Sequence, residues 1–326
     1  MYKFLFIMDP LENIIPTKDT TYILMLEAES RGNEIFFALQ DDLFIKNNQV
    51  KLKNVYKVDM IDQNNIKNNM PVCEIKKTYN HKELDYFDVI FMRKDPPVDD
   101  KYIKTTYMLE MVKDNVLVVN NPTALRAFNE KLSTLRFDKI IPNTIVCNGG
   151  DKDTIKEWTS NFKDGVVIKP LNLCGGEGIQ KFDGRNFSSL DLVSNETYIL
   201  QEFINKVYDG DKRIIILNGE PIGAILRKAK EGGFICNFHS GGTPHKTEIS
   251  KEDLIICSEI KNFLIENHIY LAGIDIIGGF LTEINITSPT CLQEINRANE
   301  TKLEKNVLDF IIQKINWVLL CQKIKI

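Results

Sequence analysis

A chain of 326 residues is long enough for about two domains. Its 43% hydrophobic and 26% charged residues match ordinary globular usage, which rules against extended disorder and low-complexity architecture. Forty-one Lys and Arg against forty-five Asp and Glu give a formal charge of −4, so neither nucleic acid nor an anionic membrane is the expected partner.

In chain order, Lys3 to Met8 reads as a buried strand. Thr17 to Thr21 then opens a helical pattern through Ile23, Leu24, Leu26 and Ala28 that Gly32 closes. Glu34 to Ala38, Val89 to Met92 and Val116 to Val119 are further β-branched or aromatic runs. A helical pattern over Lys101 to Val112 separates the last two, so residues 1–122 are expected to form an α/β domain with a parallel sheet. Asn121-Pro122-Thr123 caps a helix expected from Ala124 to Phe137, which places Lys131 inside it, and a domain boundary is drawn there.

Residues 123–203 carry strand Ile145 to Cys147, helix Thr154 to Phe162, strand Val166 to Lys169, a glycine-rich loop at Gly175, Gly176 and Gly178, and strand Tyr198 to Phe203. Residues 204–326 carry strand Asp211 to Leu217, a Gly-rich segment from Gly232 to Gly242 and a helix from Lys251 to Glu266. Paired strands near Ala272 to Ile277 and Leu281 to Ile286 follow, then an amphipathic helix from Leu303 to Leu320. The two later units read as α+β lobes.

Seven scattered cysteines without C-x-x-C spacing suit reduced thiols and a cytoplasmic setting. The run Phe4 to Met8 is too short for a signal-peptide core of about 7–15 residues, and no run approaches the ~18 apolar residues of a membrane span.

Neither a dinucleotide fingerprint nor a P-loop is present. V-V-I-K-P followed by C-G-G-E-G sets Lys169 at a strand end with a flexible loop beyond it. That pattern suits either a polyphosphate site or an ordinary turn with a solvated lysine. Lys131, Lys212, Arg213 and Arg227 carry weight only if they converge.

Residues 273–290, G-I-D-I-I-G-G-F-L-T-E-I-N-I-T-S-P-T, are more informative. Glu283 and Asn285 project from one face of a strand, a hard-cation pattern, and Asp275 on the preceding strand is the natural third ligand. A two-residue Gly278-Gly279 turn with regular pairing puts Asp275 opposite Thr282 and on the wrong face. A three-residue loop, or an equivalent bulge, puts it opposite Glu283. A solvated polar face is the alternative. His239 and His245 have no partner at metal spacing.

These motifs, with F-I-M-D-P-L-E-N-I near the start, F-M-R-K-D-P-P at 91–97, N-N-P-T-A-L-R-A-F-N-E-K at 120–131 and D-G-D-K-R at 209–213, resemble bacterial glutathione synthetases of the ATP-grasp superfamily over nearly the whole chain. The resemblance implies a pre-ATP-grasp domain (1–122) and a two-lobed ATP-grasp domain (123–203 and 204–326). It implies ATP as cosubstrate, Mg²⁺ or Mn²⁺, the small-molecule substrates γ-glutamylcysteine and glycine, and a homo-oligomer, dimer or tetramer.

By the same resemblance Lys131, Lys169, Gly175 and Gly176 hold ATP phosphates, Gln201, Glu202, Phe203 and Ile204 read adenine, and Asp211 meets ribose. Asp275, Glu283 and Asn285 match the metal ligands. Arg213 and Arg227 face the transferring phosphoryl group. Arg93, Asn237, Ser288, Pro289 and Thr290 fall where the family handles its peptide substrate and closes its lid. One departure stands out: the family's R-x-N in the second lid is Ile235-Cys236-Asn237 here, and Thr243 follows Gly242. A sibling carboxylate–amine ligase with another acceptor, and a non-catalytic nucleotide-binding regulator, are the alternatives.

Overall fold

K-F-L-F-I-M buries its last five side chains, and a strand apolar on both faces belongs between parallel neighbours. In a computed structural model that describes residues 1–62, 64 and 71–324, this segment is β1 (Lys3–Met8). There follow α1 (Thr20–Ser30), β2 (Glu34–Leu39), β3 (Leu43–Lys46), β4 (Gln49–Met60), β5 (Cys73–Glu83), β6 (Val89–Met92), α2 (Asp100–Glu110) and β7 (Leu117–Val119). Asp19 and Asp99 cap α1 and α2, accepting from the N–H groups of Tyr22 and Tyr102 at 2.7 and 2.8 Å.

The expected parallel sheet is its centre only. β2, β1, β6 and β7 pair parallel, while β3, β4 and β5 extend the β2 edge antiparallel. β4 mixes buried and exposed residues instead of running apolar, because one face meets water, and β5 beside it is exposed along most of its length.

The helix after Pro122 is shorter than expected. α3 (Pro122–Ala127) stops, and a separate short helical turn covers Leu132–Arg136, so Lys131 caps that turn and does not sit inside a helix. Asn129 is the reason: its Oδ1 accepts from the N–H groups of Lys131 and Leu132, both at 3.0 Å, and restarts the chain. The small lobe then contains β8 (Thr144–Asn148), α4 (Lys152–Thr159), β9 (Val166–Pro170), β10 (Gln180–Phe182) and β11 (Thr197–Glu202). Its antiparallel sheet runs β10-β9-β11-β8 over a core of its own built on Ile155, Val166, Ile168, Phe182, Tyr198 and Leu200.

The last lobe holds β12 (Asp211–Leu217), β13 (Glu220–Lys228), β14 (Thr243–Lys246), α5 (Lys251–Glu266), β15 (Leu271–Ile277), β16 (Phe280–Asn285), α6 (Leu292–Asn299) and α7 (Leu303–Ile324). The sequence reading placed no element at β13, β14 or α6. Its antiparallel order is β14-β13-β12-β15-β16.

This lobe docks on the N-terminal sheet. Asn120 Nδ2 donates to the carbonyls of Leu271 (2.7 Å) and Ile286 (2.8 Å), and its Oδ1 accepts from the Leu271 N–H at 2.9 Å. Two apolar clusters run across the junction, one joining Leu5 and Ile90 to Ile274 and Ile284, the other joining Phe6 and Met25 to Leu292 and Leu308.

Candidate active site

β9 ends and β12 begins at a cleft between the small lobe and the last lobe. About 850 Å³ of non-atom space lies in it, open solvent included. From the small lobe come Lys169, Gly175, Gly176, Gln201 and Glu202; from the connection Phe203 and Ile204; from the last lobe Asp211, Asn237, Asp275 and Glu283; and Lys131 lines it too.

Two cations reach it from different segments. Lys169 Nζ donates to Gln201 Oε1 at 2.8 Å, and Lys131 Nζ donates to the Leu173 carbonyl at 2.6 Å while standing 3.5 Å from Glu283 Oε1. Burial pulls the Lys169 ammonium below its ordinary range; Glu283 pulls the other way, and Lys131 adds to the depression. The two ammonium groups thus stand in a cleft that also presents carboxylates, Glu283 among them.

The hairpin decides the acidic side. Gly278-Gly279 is a two-residue turn, with Ile277 opposite Phe280, yet Asp275 faces Glu283 because a bulge follows Asp275 and takes Thr282 out of the ladder. Thr282 Oγ1 donates to the Asp275 carbonyl at 3.1 Å. The bulge foreseen as the equivalent of a three-residue loop is the device used.

Asp275 is fully engaged. Arg213 donates Nε to its Oδ1 at 2.5 Å and Nη2 to its Oδ2 at 2.9 Å, and Arg227 Nη2 lies 2.9 Å from the same Oδ2. Burial alone would raise the Asp275 carboxyl, but the two guanidinium groups override it and hold it well below the usual carboxylate range.

Arg227 also donates to Asp211 Oδ2 at 2.5 Å, although burial still pushes the Asp211 carboxyl up to about 6. Asp211 Oδ1 and Arg227 Nε are buried without a hydrogen-bond partner among the described residues. Arg213 and Arg227 thus stand directly behind the cleft wall.

Asn285, one pleat beyond Glu283, donates Nδ2 to the Gly273 carbonyl at 3.1 Å. Among the described residues no three His, Cys, Asp or Glu side chains form a metal cage. Glu283 and Asn285 still offer hard oxygens on one face, a fit for a cation that takes one or two protein oxygens and completes its shell with phosphate and water.

Over the cleft, the loop of Gly175 and Gly176 meets the segment of Asn237 and Ser240. Ser240 Oγ donates to the Gly175 carbonyl at 3.1 Å, and a Cβ on Gly176, whose φ is +91°, would lie 2.6 Å from Ile235 Cγ2. Phe203 packs with Val207, Phe234 and Cys236 into an apolar floor.

The remaining expected residues gather in a second, adjoining cluster. Arg93 is buried; its Nε donates to Thr21 Oγ1 at 3.0 Å and its Nη2 to the Pro289 carbonyl at 3.1 Å, while Nη1 has no partner among the described residues. Ser288 Oγ and the Tyr102 hydroxyl are likewise buried without partners among the described residues. Gly273 joins the clusters, since a Cβ there would lie 3.1 Å from Arg213 Cδ and 3.4 Å from Pro289 Cβ. Thr290 follows Pro289, its Oγ1 3.7 Å from Cys291 Sγ.

Tyr102 and Glu130 were missed by the sequence reading. Tyr102 sits on the apolar face of α2, where a tyrosine reads as core, and Glu130 lies in an irregular segment without periodicity. His239 and His245 join no metal group among the described residues.

Comparison with known proteins identifies the family. The model of the prokaryotic glutathione synthetase N-terminal domain covers residues 2–126 and that of its ATP-grasp domain residues 130–300. A glutathione synthetase of Nostoc sp. is 37% identical over 319 residues, 95% of this chain and 97% of that protein. One of Brucella melitensis is 36% identical over 307 residues, 91% of this chain and 94% of that protein.

Among solved structures, a RiPP-associated ATP-grasp ligase of Chryseobacterium gregarium in complex with ADP and a leader and core peptide aligns with a TM-score of 0.63 at 15% identity, over 96% of this chain and 97% of that one. A D-cycloserine synthetase aligns at 0.59 and 10%, over 94% and 99%. Two matched domain models in the right order, and relatives alike over almost their entire length, make the chain a member of the prokaryotic glutathione synthetase family, ATP-dependent ligases of the ATP-grasp fold.

Proposed function

We propose that the chain joins γ-glutamylcysteine to glycine at the expense of ATP, with the cleft holding the nucleotide and the Arg93 cluster holding the peptide. The observation that carries the reading is the approach of Lys131 and Lys169, from two separate segments, to the one face that presents Glu283.

In this reading Lys131 and Lys169 grip the polyphosphate, and the free N–H groups around Gly175 and Gly176 assist them. Adenine lies on the apolar floor at Phe203, edged by Gln201, Glu202 and Ile204, and a ribose hydroxyl donates to the unpartnered Asp211 Oδ1. Glu283 and Asn285 would hold a magnesium or manganese ion, with Asp275 as third ligand once it releases a guanidinium group. Such an ion neutralises phosphate oxygens when bound.

The unpartnered Arg93 Nη1, Tyr102 hydroxyl and Ser288 Oγ, beside Pro289 and Thr290, are suited to a carboxylate of the peptide. A carboxylate is a poor electrophile, so its oxygen first attacks the γ-phosphorus and ADP leaves. Arg213 and Arg227 stabilise the charge that builds there. The amine then attacks the acyl carbon, the C–O bond to phosphate breaks, and the amine's proton is lost. The loop contact between Ser240 and Gly175 keeps water from the acyl phosphate. The free cysteines support a cytoplasmic setting.

One observation favours a second acceptor. Ile235 lines the cleft where the family resemblance implies an arginine, which removes a cation that could recognise glycine's carboxylate. The test is ADP release by purified protein with magnesium, γ-glutamylcysteine and a panel of amines. Glycine-dependent release supports the first reading, release with another amine only supports the second, and nucleotide binding without turnover overturns both.

A further inference from the structure

The tripeptide Asn129-Glu130-Lys131 grips two lobes with alternate residues. Asn129 Nδ2 donates to the Leu171 carbonyl at 3.3 Å and Lys131 Nζ to the Leu173 carbonyl at 2.6 Å, both in the small-lobe loop after β9. Glu130 turns the other way. Its Oε1 accepts from the Ile286 N–H at 2.8 Å, the Thr287 N–H at 3.0 Å and the Thr287 hydroxyl at 2.8 Å, and its carbonyl accepts from the Ile284 N–H at 2.9 Å.

Ile284 and Ile286 flank Asn285 and follow Glu283, so these bonds fix the strand end that presents the acidic face. Three donors on one carboxylate oxygen are charge-assisted hydrogen bonds, and a satisfied set of this kind holds its members rigidly.

We propose that Glu130 is a positioning residue: by clamping the end of β16 while its neighbours clamp the small lobe, it sets the spacing between the Lys131 ammonium and the Glu283 carboxylate on which nucleotide binding and coupled ligation depend. The coupling part rests on the ligase reading above; the clamp itself does not. The group acts through geometry, so an amide oxygen in the same place serves as well as a carboxylate oxygen.

The test compares Glu130→Gln, Glu130→Ala and Thr287→Val with wild type, reading ADP affinity by calorimetry, kcat, and ADP released per product formed. Expected is rescue by the conservative change. Glu130→Gln stays within about threefold of wild type, while Glu130→Ala loses about 100-fold in kcat and releases excess ADP, since a misplacement of about 1 Å costs that much.

Thr287→Val, which removes one of the three bonds, falls between them and guards against an alanine variant that does not fold. A folded Glu130→Ala protein with wild-type affinity and coupling overturns the proposal. So does a glutamine variant as impaired as the alanine one, or an unchanged Thr287→Val. If wild type turns over no peptide, the ligase reading fails, and ADP affinity across the same variants still decides the clamp.

Discussion

Asp275 and Glu283 stand opposite each other only because Thr282 is squeezed out of the ladder between them. Thr282 holds that bulge by its bond to the Asp275 carbonyl. Thr282→Val should cost about 1 kcal/mol of stability and raise the magnesium concentration for half-maximal turnover, as Glu283 loses its fixed position. Glu283→Ala should abolish ligation with the far-UV circular dichroism unchanged. Undiminished turnover of the alanine variant would remove Glu283 from the metal site.

Lys169 gives a pH prediction. Burial sets its folded pKa below the unfolded value of 10.5. The folded state is therefore penalised where the lysine is charged in both states, and that penalty lifts as pH rises through the folded pKa. Nucleotide binding has the opposite slope, because a polyphosphate favours the ammonium. ADP affinity should fall as pH rises through the depressed pKa, with proton uptake on binding visible by calorimetry in buffers of different ionisation enthalpy. Lys169→Met should abolish both the slope and the uptake.

Arg93 serves the other cluster. Arg93→Met should raise KM for γ-glutamylcysteine about 10- to 100-fold, the worth of a charged hydrogen bond, and leave KM for ATP within about twofold. Equal loss on both substrates, with the melting temperature preserved, would contradict a separate peptide site.

Cys174 is exposed and lines the cleft, and burial raises its thiol; burial also pushes the thiols of Cys73 and Cys236 up to about 11 and that of Cys257 up to about 12, and these three are buried from reagent. An alkylating reagent near neutral pH should modify Cys174 first, and ADP with magnesium should slow that step. Peptide mapping that finds equal modification with and without nucleotide would place the nucleotide elsewhere.

Strands with one uninterrupted apolar run were legible: β1, β6 and β12 fall where the pattern puts them. So was helix α5, whose Ser250 and Asp253 form a capping box. β4 and β5 were not, because recurring charged residues such as Lys51, Lys53 and Lys57 on a strand with one wet face look like loop until its neighbours are known. α3 was overextended because a side-chain cap at Asn129 ends it without glycine or proline.

In the site, most residues named from the resemblance line one cleft or lie in the cluster beside it. What escaped was partnership: that Arg213 and Arg227 share Asp275, and that Glu130 serves Thr287, are facts of register across strands far apart in sequence.

The shared apolar clusters also shape how the protein is made. The faces of β1, β2 and β6 are completed by side chains from β15, β16 and α7, whereas the small lobe closes its own core. On the ribosome the N-terminal sheet therefore emerges with half of its lining missing. It waits for roughly 200 further residues, about 10–40 s at ordinary elongation rates. A chain stopped after residue 210 should aggregate or bind chaperones, while a fragment spanning the small lobe stays dispersed. A dispersed, cooperatively folding N-terminal fragment would show instead that its sheet stands without the later partner.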